Sequence, residues 1–119
     1  MSIELYGIPN CDTVKKARAW LDERGLEYRF HDYKKEGADP ARLAEWGEKA
    51  GWEALLNRRG TTFRGLDEAD KADIDETKAI RLMAENPSLI KRPVVEHKGH
   101  VLVGFDPGEW GTALSDGFR

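Results

Sequence analysis

An α/β fold with a mixed sheet and a helical insert is what this 119-residue sequence predicts. Three observations point to it. An alternating run, a helical run and a second alternating run follow one another between residues 3 and 33, which is the order of a βαβ unit. A hairpin pattern with a final helix occupies the last quarter of the chain. Between them lies a stretch whose apolar residues recur at helical spacing.

Ile3-Glu4-Leu5-Tyr6 alternates as a half-buried strand does and is stopped by Gly7 and Pro9. From Asp12 or Thr13 the period changes, with Val14, Ala17 and Leu21 on one helical face and Gly25 as the stop signal. Leu26 to Tyr33 reads as a second strand, Tyr28, Phe30 and Asp32 on one side and Arg29, His31 and Tyr33 on the other. A helical connection of this length implies parallel pairing. Asp39-Pro40 is a cap followed by a first-turn proline, and Leu43, Trp46, Gly47 and Ala50 form an apolar stripe ending at Gly51. Trp52–Leu56 is a further short helix. Asn57 to Arg64 reads as a basic, glycine-containing connection. The next helix starts around Asp73–Asp75 and runs to Asn86, with Ile80, Met83 and Ala84 inward and Pro87 as terminator. Pro93–His97, the turn Lys98-Gly99 and His100–Val103 form a hairpin, and Asp106-Pro107 caps a last helix through Trp110 and Leu114 before a polar tail. One domain over 1–119 is expected, its core at about 1–33 and 88–119 and its insert at about 34–87.

Acidic and basic residues number 22 and 19, for a net charge of −3. That balance argues against direct nucleic-acid binding or attraction to an anionic membrane. No apolar run approaches the roughly 20 residues that span a bilayer. The start of the chain shows neither a basic leader nor a cleavage site, and there are no paired cysteines, so a cytoplasmic protein is expected.

The one cysteine, Cys11, stands where the first strand turns into the first helix. Exposed N–H groups and the positive end of a helix dipole favour a thiolate there. The other reading is a small apolar core residue, but the preceding Ile8-Pro9-Asn10 turn and the polar surroundings favour the nucleophile. Lys15, one turn on, adds positive potential or is simply solvated. A lone cysteine has no internal partner, so a redox cycle through it draws its second thiol from another molecule.

Two further features invite chemistry. In Ile90-Lys91-Arg92-Pro93, the X-Pro bond is the one peptide bond that turns cis at modest cost, which exposes the backbone around Arg92 to a bound thiol or peptide. A plain strand-entry proline beside a surface arginine fits the same residues. Arg58, Arg59 and Arg64 form either an oxyanion-binding group or a solvated face. His31, His97 and His100 share no metal-ligand spacing with Cys11, and no phosphate-binding glycine loop is present.

Gly7-Ile8-Pro9-Asn10-Cys11-Asp12-Thr13 with Lys15-Lys16-Ala17-Arg18-Ala19-Trp20-Leu21 resembles the opening of ArsC/Spx-type proteins, closest to their YffB-like subgroup. His31-Asp32-Tyr33-Lys34, Leu56-Asn57-Arg58, Gly60–Arg64, Ile90–Pro93 and Val103-Gly104-Phe105 continue the likeness over nearly the full length. The resemblance implies a thioredoxin-like core with a helical insert, a cis peptide at Pro93, and Cys11 as nucleophile. It implies Arg92 as the anion- or thiol-binding arginine, Arg58 as the nearest equivalent of a second one, and Asn10, Thr13, Lys15 and Pro93 as their companions at the site. Glutathione as co-substrate, or glutaredoxin, would serve the cysteine, with no tightly bound cofactor and a monomer as the expected state. Two positions depart from the arsenate-reducing pattern. Gly7 stands where those enzymes have a histidine, and Gly104-Phe105 where they have a third arginine, which puts arsenate in doubt as substrate. Spx regulators of the same family often carry Cys-x-x-Cys, whose second position here is Val14. The expected function is a glutathione-dependent thiol oxidoreductase. The alternative is an Spx-like protein that binds the RNA polymerase α-subunit without catalysis of its own.

Overall fold

A computed structural model describes residues 3–116, with main chain only for the last two of these. In chain order its elements are β1 (Ile3–Gly7), α1 (Asp12–Glu23), β2 (Tyr28–Asp32), α2 (Tyr33–Glu36), α3 (Pro40–Trp46), a π-helical turn (Gly47–Gly51) and α4 (Trp52–Leu55). There follow α5 (Thr61–Arg64), α6 (Glu68–Lys71), α7 (Glu76–Glu85), a 3-10 turn (Pro87–Leu89), β3 (Val94–His97), β4 (His100–Val103) and α8 (Pro107–Asp116). The chain divides into two compact units, residues 1–33 with 92–119, and residues 34–91. No helix among the described residues is long and apolar enough to cross a membrane.

The first unit is a four-stranded sheet in the order β2-β1-β3-β4. β1 and β2 run parallel, while β1–β3 and β3–β4 are antiparallel. This is the mixed sheet of a βαβ unit joined to a ββα unit, as the sequence predicts. Period-2 alternation sends Ile3, Leu5 and Val95 to one face, where they meet Val14, Ala17, Trp20 and Leu21 of α1 and Trp110 and Leu114 of α8. Trp110 is fully buried and its indole N–H donates to the Gly104 carbonyl at 3.1 Å. It meets Phe105 and Trp20 edge-on, with centroids 4.9 and 5.9 Å away. Asp106 caps α8, its carboxylate accepting from the Gly108 and Glu109 N–H groups.

The second strand is shorter than Leu26–Tyr33. It ends at Asp32, and Tyr33 turns inward as the first residue of α2, 2 % exposed. Alternation alone cannot locate that exit, because a buried tyrosine fits either state.

The second unit is helical. Asp39 caps α3 by accepting from the Ala41 N–H, and Asp75 caps α7 by accepting from Lys78 N–H. Leu43, Trp46, Leu55, Leu82, Met83 and Leu89 are buried. The inward face of α7 is Ala79-Leu82-Met83 rather than Ile80-Met83-Ala84. Ile80 and Ala84 are only half-buried, so the helix is rotated by part of a turn from the expected setting. Two elements inside and after the basic connection, α5 and α6, were not expected. Each is one turn long, too short to show a period. Lysines close them, Lys71 Nζ donating to the Arg64 carbonyl and Lys78 Nζ to those of Ala69 and Ala72. An isolated antiparallel bridge, Leu56↔Ile90, ties the end of α4 to the segment before β3.

Candidate active site

Register brings the site together. In the first unit Gly7 lies level with Asp32 across the parallel pair, and Tyr6 opposite Val94 across the antiparallel pair. The chain leaves β1 toward Cys11, leaves β2 at Tyr33 and enters β3 from Arg92 and Pro93. All three therefore stand at one end of the sheet, the carboxyl end of its parallel strands, where open α/β sheets place their ligands. The Arg92–Pro93 peptide is cis. Pro93 is buried and its carbonyl accepts from the Gly104 N–H at 2.8 Å, which holds the β3 entry against the β4 exit.

Cys11 is the N-cap residue of α1, in extended conformation, and its carbonyl accepts from Lys15 N–H at 2.9 Å. Cys11 is half-buried. It makes no conventional capping hydrogen bond, yet it lies near enough to the Val14 and Thr13 N–H groups to be stabilised by them as an anion. Partial burial pushes the thiol pKa up. That push is outweighed by the Val14 N–H, the Arg92 hydrogen bond, the Thr13 N–H and the Arg92 charge, so the pKa lies below the ordinary 9.0.

Arg92 is half-buried. Burial pulls its pKa down, but hydrogen bonds to Cys11 and Tyr33 and the attraction of their charged forms pull harder, and the net shift is upward. The guanidinium thus remains a cation between the thiol and the phenol. Burial likewise raises the Tyr33 pKa well above 10.0, with Cys11 and Asp32 adding to the rise and Arg92 opposing it. Tyr33 was not expected at the site. The signal that could have found it is positional, since the residue following a parallel strand sits beside the residue following its neighbour.

Of the other expected site residues, Asn10, Thr13 and Lys15 have exposed side chains, and Thr13 faces the sulfur through its main chain. Arg58 belongs to the second unit. There it lines, with Asn57, Arg59 and Lys91, a basic cleft of about 330 Å³. Its loop is shaped by Asn57, whose side-chain oxygen accepts from Arg59 N–H at 3.1 Å. Arg64 is turned to the same loop, its guanidinium donating to the Arg59 carbonyl at 2.8 Å. A groove of about 630 Å³ along β2, lined by Arg18, Tyr28 and Phe30 among others, holds none of the expected residues. His31 serves elsewhere: its Nε2 lies 2.8 Å from Glu4 Oε1 and its ring stacks on Tyr6. Among the described residues no group of three or more His, Cys, Asp or Glu is placed to hold a metal ion.

The two departures from the arsenate-reducing pattern have packing reasons. A Cβ on Gly7 would sit 2.9 Å from Val14 Cγ2, inside contact distance, so a larger residue requires Val14 to move. Gly104 has a φ of 79°, which favours glycine, and Phe105 packs into the Trp110 cluster.

The site thus offers a single thiol with a lowered pKa, backed by one guanidinium and the N-terminal N–H groups of a helix. Comparison with known proteins agrees on the fold. The model of the ArsC family matches residues 6–113. A solved structure titled YffB protein superposes with a TM-score of 0.92 at 57% identity, over 95% of this chain and 99% of that one. An arsenate reductase (ArsC) related protein from Brucella melitensis gives 0.76 at 49% identity, over 96% and 95% of the two chains. The global transcriptional regulator Spx of Streptococcus pyogenes serotype M3 is 28% identical over 119 residues, 98% of this chain and 88% of its own. The architecture is accordingly the thioredoxin-like one of these proteins. Matched from its first strand into its last helix, this protein belongs to the ArsC family.

Proposed function

We propose that this protein is a thiol oxidoreductase in which Cys11 forms a covalent adduct that an external thiol, glutathione, resolves. One observation carries the reading: the Cys11 sulfur is held by the Arg92 guanidinium and two backbone N–H groups in an arrangement that lowers its pKa. The Cys11 thiolate attacks one sulfur of a substrate disulfide, forming a mixed disulfide and expelling the other sulfur as a thiolate. Glutathione thiolate then attacks the substrate's sulfur or the Cys11 sulfur of that adduct. The bond to Cys11 breaks, and the electron pair returns to Cys11 or is carried off by the substrate thiolate. When the second half of the substrate leaves bonded to glutathione, another glutathione releases it; when glutathione stays bonded to Cys11, another glutathione attacks its sulfur and frees the Cys11 thiolate. Two glutathione molecules are then oxidised to one disulfide for each substrate disulfide reduced. Arg92 steadies the anionic thiolates. Gly7 and Gly104-Phe105 leave out two groups of the arsenate-reducing pattern, so a disulfide fits better than arsenate.

The test is intact-mass spectrometry after exposure to oxidised glutathione. The reading expects one glutathionyl adduct, mapped to Cys11, formed more slowly in Arg92→Ala and absent in Cys11→Ser. No adduct in the unaltered protein would refute it. A second reading, a regulator that binds the RNA polymerase α-subunit, is favoured by the likeness to Spx. It expects capture of that subunit to survive Cys11→Ser, with no adduct formed.

A further inference from the structure

Tyr33 is an expensive residue to bury for its ring alone. It is 2 % exposed, yet its hydroxyl hydrogen-bonds Arg92, whose guanidinium also reaches Cys11. A guanidinium is a rigid fork of five donors on a flexible stem. Engaging one edge of the fork on a fixed acceptor restricts where the other edge can point. Here the guanidinium hydrogen-bonds both Cys11 and Tyr33. The acceptor is itself fixed, because Tyr33 follows β2 directly and Asp32 is locked level with Gly7 by the parallel register.

The groups acting on this cluster come from three elements. Cys11 comes from the loop before α1, Asp32 and Tyr33 from the end of β2, and Arg92 from the entry of β3. Burial, Cys11 and Asp32 all disfavour the phenolate, so the phenol keeps its proton throughout the working range and is a poor acid toward a leaving thiolate. Its hydroxyl acts by holding. We infer that Tyr33 is a positioning residue, its hydroxyl anchoring the Arg92 guanidinium in the orientation that supports the Cys11 thiolate. The inference rests on Cys11 being the nucleophile.

Tyr33→Phe keeps the ring and removes the anchor. The rate of Cys11 alkylation by iodoacetamide, followed against pH, is the readout, because a role in packing alone would lower the melting temperature without moving that profile. The expected result is an upward move of the midpoint, about a threefold slower reaction at neutral pH, the scale of one weakened hydrogen bond, and an unchanged alkaline plateau. In an Arg92→Ala protein the same substitution changes nothing further. A fluorinated tyrosine at position 33, which preserves packing but weakens the oxygen as acceptor, moves the midpoint the same way by less. An unmoved midpoint in both variants, or an equal shift with and without Arg92, overturns the inference while leaving Cys11 the nucleophile. An ordinary thiol in the unaltered protein overturns both.

Discussion

Arg92 acts on Cys11 both through a hydrogen bond and through its charge. Replacing it with alanine removes a charge-assisted contact of about 1.5 kcal/mol, so Cys11 should be modified roughly tenfold more slowly at neutral pH. Stopped-flow alkylation checks this, and an unchanged rate would show that the helix N-terminus alone activates the thiol. Gly7 is a steric requirement. Gly7→Ala places its Cβ against Val14 and should destabilise by about 1–3 kcal/mol, the usual penalty for overpacking. Val14→Ala in the same chain should recover part of that loss in urea titrations, whereas additive losses would mean that Val14 is not the clash.

The aromatic cluster under the sheet separates two tryptophans that look alike in sequence. Trp110 donates to the Gly104 carbonyl, while the Trp20 indole N–H is buried with no hydrogen-bond partner. Trp110→Phe orphans a carbonyl, whereas Trp20→Phe removes an unsatisfied donor. The first should therefore be the more destabilising by about 1–2 kcal/mol, measured by chemical denaturation. The reverse order would contradict the assigned indole contact. The strands and the long helices were legible because alternation and a 3.6-residue period write burial directly into residue order, as in Ile3–Gly7 and α1. The caps Asp39 and Asp106 were legible for a similar reason, since each bonds within two or three residues of itself. What was hidden depends on contacts that reach beyond a single helical turn. The one-turn helices α5 and α6 are held by lysines from elsewhere, and the setting of α7 depends on its neighbours. The place of Cys11 before a helix was legible, but that of Tyr33 was not, because it depends on a strand register that no local pattern encodes.

Activation of Cys11 also couples to folding. The folded state holds the thiol pKa below 9.0, so between that lowered value and about 9 the unfolded chain binds the proton more tightly. Stability from the thiolate therefore rises with pH across this window, is fully present above it, and is lost as pH falls through the folded-state pKa. The unfolding free energy of the protein relative to Cys11→Ser should follow that curve, and a flat difference from acid to alkaline pH would deny the coupling. The chemistry proposed for Cys11 depends throughout on a thiol held below its ordinary pKa. Titration of thiolate ultraviolet absorbance, with Cys11→Ser as the blank, measures this directly. A midpoint clearly below 9.0 that moves up in Arg92→Ala is the predicted result, and a midpoint at or above 9.0, indifferent to Arg92, would contradict it.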